Sequence, residues 1–300
     1  MVVLDDDEVS RILVIAAHPD DVDFGAAGTV ARWTEAKIDV VYCLVTDGDA
    51  GGSDPSITRS DMATLRRYEQ TEAADRVGVH DLLFLGYPDG RVEATLELRK
   101  DLARVIRQVR PDRVLCPSPE RDYVRPGISH PDHRAVGSAA LDAVYPDARN
   151  PFAFPELLTD EGLTEWIVRE VWVLGPGAAD HYVDVTETFP RKVAALRAHV
   201  SQTGHREDLE DLLRDRLAAT AARAGLPAQP PGRGVPGHRH LLTRLIRTAL
   251  TRFRPATAGD CRLGPAQRTP GGGSGAPTPT ALGWASGATA VTGRLQGACV

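Results

Sequence analysis

Two short clusters of histidine and aspartate hold the residues best suited to chemistry in this sequence. They are AHPDDVD, with His18, Asp20, Asp21 and Asp23, and SHPDH, with His130, Asp132 and His133. Two imidazoles and a carboxylate form a good ligand set for Zn²⁺ and leave a fourth position for water. Such a site lowers the pKa of its water to about 7 and polarises a substrate carbonyl. The remaining acids and imidazole can accept and donate protons, so the clusters together indicate metal-assisted hydrolysis.

Structural roles are the competing explanation for each cluster. Asp20 and Asp21 could cap the following helix, because short acids satisfy free backbone N–H groups and favour the helix dipole. His130 and His133 could be solvated loop histidines or partners of surface acids. Neither explanation accounts for two H-P-D tripeptides that each follow a predicted strand, so we favour a shared site.

The first 225 or so residues alternate strand and helix patterns. The predicted strands are Arg11–Ala17, Asp39–Thr46, Asp81–Leu85, Arg113–Cys116 and Val168–Leu174. The predicted helices are Phe24–Ala36, Arg59–Val77, Leu96–Arg110, Pro131–Tyr145 and Phe189–Val200. This order predicts an α/β fold, a Rossmann-like, doubly wound, mostly parallel sheet with helices on both faces. Sites in such sheets form beyond the carboxyl ends of the strands, where both clusters fall.

Composition narrows the class of protein. The 300 residues are 42% hydrophobic and 25% charged with a net charge of −6, as expected for a soluble globular enzyme. No apolar run approaches the roughly 18–20 residues of a membrane helix, and the start lacks a signal-peptide pattern, so we predict a cytoplasmic protein without stable membrane insertion. The four cysteines have no C-x-x-C spacing, and we expect no disulfide framework. Assembly into a homo-oligomer is compatible with these features.

The charge is unevenly distributed along the chain. From Ala228 onward there are nine arginines and one acid, Asp260, which gives this tail +8 and leaves −14 for the rest. An acidic body disfavours nucleic-acid binding, since phosphate contacts need clustered Lys and Arg. We therefore predict a catalytic domain over residues 1–226 that does not bind nucleic acid.

Residues 227–300 form a Pro/Gly/Arg-rich tail that we expect to be largely disordered. Within it, HRHLLTRLIRTALTRF places apolar residues on one helical face with arginines opposite. This pattern predicts an amphipathic helix, either a membrane-surface or partner-binding element or a segment that packs poorly on the domain. The loss of Asp, Glu and Lys also resembles translation in a shifted frame.

At its two boxes the chain resembles the PIG-L/LmbE family of zinc-dependent N-acetylglucosamine deacetylases. That family has an A-H-P-D-D-x-E box after its first strand and a later H-P-D-H box. The resemblance runs from about Arg11 to Leu226 and includes LRRYEQTEAADRVGV, FLGYPDG and VDVTETFPRKVAALRAHVSQTG. No counterpart of the tail is recognised.

The resemblance implies a role for each box residue. His18, Asp21 and His133 would be the zinc ligands, and Asp20 the general base. His130 would stabilise the oxyanion or protonate the leaving amine, with Asp132 orienting it. Zinc suits two histidines and a carboxylate with an open position, although Fe²⁺, Mn²⁺ and Co²⁺ also occupy His/Asp sites.

Three positions depart from the family pattern or fit it only loosely. Asp23 stands where the family usually has Glu, which leaves its supporting contacts open. Some relatives place a tyrosine just before the second box, for which Tyr123 is a weak substitute. Arg66 and Glu69 match an R-x-x-E pattern but would serve equally as an i,i+3 helix pair.

The predicted function is removal of the acetyl group from an N-acetylglucosamine-type amino sugar or its conjugate by a zinc-activated water. The resemblance suggests thiol precursors of the glucosaminyl-inositol or glucosaminyl-malate kind. The polar loop Gly48–Ser60 could contact sugar hydroxyls or be a flexible surface loop. One alternative is an amidase acting on thiol–sugar conjugates. Another is a non-catalytic nucleotide- or sugar-binding module, suggested by Gly25 and Gly28, although the G-x-G-x-x-G fingerprint is absent.

Overall fold

A computed structural model describes residues 4–52, 54–124, 126–175 and 179–224, together with the backbone of 242–249. The strands are β1 (Arg11–Ala16), β2 (Asp39–Thr46), β3 (Asp81–Tyr87), β4 (Arg113–Pro117), β5 (Glu170–Leu174), β6 (His181–Asp184) and β7 (Leu242–Ala249). The helices are α1 (Asp21–Gly25), α2 (Ala27–Glu35), α3 (Arg59–Arg76), α4 (Leu96–Val109), α5 (Pro131–Val144), α6 (Glu156–Thr159), α7 (Phe189–Ala198), α8 (Val200–Thr203) and α9 (Leu209–Arg223). All of them lie in a compact unit, Met1–Phe253, and a second unit, Arg254–Val300, lies outside the described residues.

The strands form one sheet in the order β3-β2-β1-β4-β5-β7-β6. β1 to β5 are parallel, and in this register Ile12 lies between Val40 of β2 and Arg113 of β4. The chain runs to one side of β1 with β2 and β3, then crosses to the other side with β4 and β5. The predicted α/β fold is confirmed, and the crossing makes β1 and β4 the topological switch point of the sheet.

The sheet is buried on both faces because its central strands alternate between two cores. In β1, Ile12 and Val14 face one core, which includes Trp33 of α2. Leu13 and Ile15 face the other, which α4 and α5 cover. Every residue of β1 after Arg11 is buried, so its carboxyl end is held rigidly and presents the first box at a fixed place.

The region after β1 differs from the prediction. The expected helix Phe24–Ala36 is two helices, α1 and α2, which meet at Ala26 with φ −134° and ψ 0°. α1 begins earlier than predicted, at Asp21, so the first box leads directly into a helix. Because Gly28 packs on Val185, with only 2.8 Å for a Cβ there, α2 lies close to the segment that follows β6.

The amphipathic helix predicted in the tail is wrong for Leu242–Ala249, which forms β7. β7 is antiparallel to both β5 and β6, pairing Thr248 with Val171 and Thr243 with Val183. The β-branched residues of LTRLIRTA favour extended backbone, and two strand partners outweigh the helical periodicity. The predicted domain boundary at residue 226 stays a prediction, and β7 lies beyond it in the chain. Disorder in the rest of the tail, which lies outside the described residues, also stays a prediction.

The described residues also bear on the expectations about membrane helices and cysteines. Among them, no helix is both long and apolar enough to cross a membrane. Cys43 and Cys116 are buried free thiols, while Cys261 and Cys299 lie outside the described part of the chain. A cytoplasmic location stays a prediction.

Gly137 lets α5 lie against the carboxyl end of β4, and its replacement tests how tightly this contact holds the second box. A Cβ at Gly137 would lie 2.9 Å from both Ser118 C and Pro119 N, and closer still to the Pro117 carbonyl oxygen. These are backbone atoms that cannot rotate away, so Gly137→Ala should lower the free energy of unfolding by about 1–3 kcal/mol in urea denaturation. Gly127→Ala is the matched control, because its Cβ would meet no atom within 4 Å. Equal stability of the two variants would contradict this packing.

Candidate metal centre and active site

The first box turns sharply after β1 because Asp20 adopts a left-handed conformation, with φ 78° and ψ −23°. Aspartate tolerates this region better than most residues. The Asp20 N–H donates to Gln70 Oε1 at 2.8 Å, which holds the turn. Asp20 makes no side-chain cap on α1, and the Asp21 carboxylate accepts from the His18 N–H at 2.8 Å. Asp20 is the N-cap residue of α1 and Asp21 lies in its first turn, but capping of the helix by the Asp20 side chain is not observed.

The second box opens α5. His130 is its N-cap residue, with Nδ1 accepting from the Asp132 N–H at 3.3 Å, and Pro131 occupies the first turn, where its missing N–H costs nothing. Asp132 is 1% exposed and accepts from the Gly90 N–H at 2.7 Å. β4 and α5 thus bring the second box beside β1.

The structure brings His18, Asp21 and His133 together at this edge of the sheet. His18 Nδ1 lies 3.2 Å from His133 Nε2 and 3.4 Å from Asp21 Oδ2, and His133 Nε2 lies 3.0 Å from Asp21 Oδ1. Tetrahedral ligands at ~2.0–2.1 Å from a zinc ion are about 3.3 Å apart. The three donors therefore already have the mutual spacing that one small cation requires.

Two further donor groups share the same histidine. His18, His130 and His133 form one cluster that could hold a metal ion, and His18, Asp89 and Asp132 form another. His18 Nε2 lies 3.0 Å from Asp89 Oδ1 and 3.1 Å from Asp132 Oδ2. A ligating histidine commonly contacts a carboxylate through its other ring nitrogen, which orients the ring. An ion held by His18, Asp21 and His133 would contact Nδ1 of His18, and Asp89 and Asp132 would then orient the ring through Nε2.

Negative charge dominates around His18. Burial disfavours the charged imidazole, but hydrogen bonds to three carboxylates outweigh it and raise the pKa of His18 to about 12. Burial likewise opposes ionisation of Asp21, yet its contacts with His133 and His18 hold its pKa well below the usual range. Burial also opposes ionisation of Asp89 and Asp132, but their hydrogen bonds with His18 lower the pKa of both carboxyl groups. Three carboxylates therefore surround His18, and their negative charge favours a bound cation.

Asp20 belongs to neither donor group and is held by Arg66. Arg66 Nη2 donates to Asp20 Oδ2 at 2.8 Å and to the Pro19 carbonyl at 2.6 Å. Burial and the charge of Asp21 raise the pKa of Asp20 to about 7, against the opposing effect of Arg66. Glu69 accepts from Ser201 at 2.6 Å and 2.7 Å. Arg66 and Glu69 therefore act as tertiary contacts rather than as a helix pair.

The loop Gly48–Ser60 supports Arg66. A Cβ at Gly48, which has φ +67°, would lie 2.8–2.9 Å from the Arg66 guanidinium. The Ala50 N–H donates to Asp89 at 3.2 Å, so the loop also contacts the site. Among the loop residues that the structure describes, Gly48 and Ala50 therefore hold Arg66 and Asp89 in place. Contact of the loop with a sugar stays a prediction.

Asp23 has well-defined supporting contacts although the family pattern has Glu there. It is fully buried and its Oδ2 accepts from Gln70 Nε2 at 2.9 Å and lies 2.8 Å from His199 Nε2. Lys192 Nζ donates to the Asp23 carbonyl at 2.6 Å, and burial lowers the pKa of this lysine to about 8. Gln70 joins this buried group to the Asp20 N–H.

The remaining predicted residues are His130, Asp132 and Tyr123. The His130 ring centroid is 5.1 Å from that of His18, and burial together with the charge of His18 lowers the pKa of His130. The Asp132 carboxylate contacts His18. Asp132 contacts His130 only through its backbone N–H, which donates to His130 Nδ1. Asp132 is therefore better placed to orient His18. Tyr123 is 88% exposed.

Sequence reasoning missed Asp89, Gln70 and His199. Asp89 follows Pro88 just beyond β3, so this Pro–Asp pair at a strand end repeats the arrangement of both boxes and was the available signal. Gln70 and His199 carry no such signal, because each becomes important only through contacts with residues more than forty positions away.

The fold and this site together define a class: Rossmann-like α/β proteins with a histidine–aspartate group that could hold a metal ion at the switch point of the sheet. The family model for PIG-L, described as GlcNAc-PI de-N-acetylase, matches residues 13–144. The diacetylchitobiose deacetylase of Thermococcus kodakarensis is 33% identical over 195 residues, which is 65% of this chain and 71% of that protein. The chain belongs to the PIG-L family.

Two further relatives extend the comparison. The 1D-myo-inositol 2-acetamido-2-deoxy-alpha-D-glucopyranoside deacetylase of Kineococcus radiotolerans is 29% identical over 256 residues, covering 65% of this chain and 70% of that protein. The solved structure of N,N'-diacetylchitobiose deacetylase from Pyrococcus horikoshii, in complex with its inhibitor MPG, superposes with a TM-score of 0.71 at 28% identity. It covers 81% of this chain and 85% of that one.

Asp89→Asn tests the orienting role of the residue that the sequence did not reveal. The amide keeps the shape of the side chain but removes the negative charge that lies 3.0 Å from His18 Nε2. We expect metal affinity to fall by about 10–100-fold, as for other partners of ligating histidines. Chelator competition with the purified protein measures this. Asp81→Asn, the same charge change at an exposed residue, is the control, and equal affinities in the two variants would rule out the role.

Proposed function

We propose that this chain is a metal-dependent N-deacetylase that removes the acetyl group from an N-acetylglucosamine-type amino sugar or its conjugate. The observation that carries the proposal is the 3.0–3.4 Å spacing of the donor atoms of His18, Asp21 and His133. The substrate class rests on the family, whose described relatives act on diacetylchitobiose and on an acetamido-glucosyl inositol.

Zinc is the proposed ion, because two imidazoles and a carboxylate with room for a further ligand suit it. When bound, it would polarise the acetamide carbonyl and lower the pKa of water. Fe²⁺, Mn²⁺ and Co²⁺ are the other candidates for such a donor set. Metal analysis of anaerobically purified protein distinguishes among these ions.

Asp20 and His130 supply the proton transfers. Asp20 is adjacent in sequence to Asp21, and Arg66 holds one of its carboxylate oxygens, so Asp20 can accept the proton of the attacking water. His130, half-buried and beside both other histidines, can stabilise the developing oxyanion or protonate the departing amine. The products are acetate and a free amino sugar.

The two alternatives from the sequence gain no support. Gly25 and Gly28 pack against the side chains of Leu174 and Val185, so these glycines serve close packing rather than an open phosphate loop. The described relatives are deacetylases, which disfavours an amidase specific for thiol conjugates.

Two substitutions separate proton transfer from metal binding. Asp20→Asn keeps a residue that tolerates the left-handed backbone but cannot accept a proton, so the enzyme should keep its metal and lose about 10²–10⁴-fold in kcat. His133→Ala removes a donor and should lose the metal itself. Acetate release from N-acetylglucosamine conjugates and metal content are measured on the same samples. A fully active Asp20→Asn enzyme would refute the assignment of the base.

A further inference from the structure

A cavity of about 570 Å³ adjoins the metal centre and has no part in the chemistry described so far. Asp21 and His133 both line it, so it opens directly onto two of the proposed ligands. Its volume lies in the ordinary range for small-molecule sites. A substrate whose acetamide reaches the metal centre has this cavity next to it.

Much of the cavity wall is apolar. The hydrophobic residues that line it include Phe24, Ile128, Leu174, Leu212 and Leu217. Phe24 is 38% exposed and Ile128 44% exposed, which is high for side chains of their size. Apolar side chains that line a cavity beside the metal-binding residues can pack against an apolar part of a ligand.

Two arginines also line the cavity, Arg206 just before α9 and Arg216 within it. Leu212, Arg216 and Thr220 recur every four residues and all line the cavity, so they form the stripe of α9 that faces it. Arg206 and Arg216 are exposed, and neither makes an ion pair with any residue that the structure describes.

Arg214 of the same helix, in contrast, has an acidic partner. It donates to Glu210 at 2.9 Å, and its guanidinium carbon lies 4.6 Å from the Phe189 ring centroid. In a domain with a large excess of acids, two arginines that share a cavity without an acidic partner are free to pair with an anion on a ligand. Guanidinium groups bind carboxylates and phosphates through paired hydrogen bonds.

We propose that this cavity binds the group carried by the amino sugar away from its acetamide, and that this group combines an apolar part with a carboxylate or phosphate. The proposal rests on the proposed deacetylase function and specifies its substrate class. The apolar part covers Phe24 and Ile128, and the anion pairs with Arg206 and Arg216. Because three carboxylates contact His18 at the metal centre, an anion on the substrate is placed more favourably beside these arginines than beside those acids.

Matched substrates test the anion site. Acetate release is measured for the phenyl glycoside of N-acetylglucosamine and for its 4-carboxyphenyl and 4-phosphophenyl counterparts. We expect KM to be about tenfold lower for at least one anionic glycoside than for the neutral one, with similar kcat. The variant with both Arg206→Gln and Arg216→Gln should lose this preference and keep the kinetics of the neutral glycoside. Lysine at both positions should retain part of the preference.

Arg214→Gln is the control, since it makes the same charge change on α9 outside the cavity and should leave the preference intact. Equal kcat/KM for neutral and anionic glycosides, or a preference that survives loss of both arginines, would overturn the proposal. Faster hydrolysis of an N-octanoyl than of the N-acetyl neutral glycoside would also overturn it, because the acyl chain would then occupy the apolar wall.

A failure of the proposed function gives a different result. If the metal-loaded protein releases acetate from none of these glycosides, the deacetylase proposal fails. Calorimetry with the 4-carboxyphenyl and 4-phosphophenyl glycosides then tests the cavity alone. Binding of either one that weakens about tenfold on loss of both arginines supports the anion site, and binding that is absent or unchanged excludes it.

Discussion

A concentration of negative charge around one buried imidazole underlies the rest of this structure. His18 contacts Asp21 on one side and both Asp89 and Asp132 on the other, with little exposure to solvent. Like charges at this density are costly in a buried place unless a cation or fixed donors offset them. The backbone N–H groups of Gly90 and Ala50 offset part of the charge, and a metal ion between His18, Asp21 and His133 would offset much of the remainder.

The fold provides the rigidity that such a cluster needs. β1 and β4 are adjacent parallel strands, so the segments that leave their carboxyl ends meet without any long excursion of the chain. Asp20 lies in a left-handed turn that would be strained in isolation. Gln70 and Arg66, both from α3, hold that turn through the Asp20 N–H, the Asp20 carboxylate and the Pro19 carbonyl. The site is therefore a property of β1, β4 and α3 together.

The sequence predicted whatever depends on local pattern. β2 was placed with its observed bounds because Asp39–Thr46 is an almost continuous apolar run, and the boxes were located because they follow such runs. β7 was missed because its strand conformation depends on pairing with β5 and β6, which are distant in sequence. The roles of Asp89, Gln70 and His199 were missed for the same physical reason. Spacing alone could not decide whether Arg66 pairs with Glu69 or, as the structure has it, with Asp20.

Asp23 shows how one departure from a family pattern fits its surroundings. Its Oδ2 already lies at hydrogen-bond distance from Gln70 Nε2 and His199 Nε2, and both Asp23 and His199 are fully buried. Glutamate would add a methylene to a group with no solvent beside it, and tight packing resists such an addition unless its neighbours move back. Gln70 and His199 are the neighbours in contact with this carboxylate, and Gln70 Oε1 also accepts a hydrogen bond from the Asp20 N–H. Asp23 is thus part of a buried chain of contacts that runs from His199 through Gln70 to the backbone of the proposed base, although its Oδ1 has no hydrogen-bond partner among the described residues.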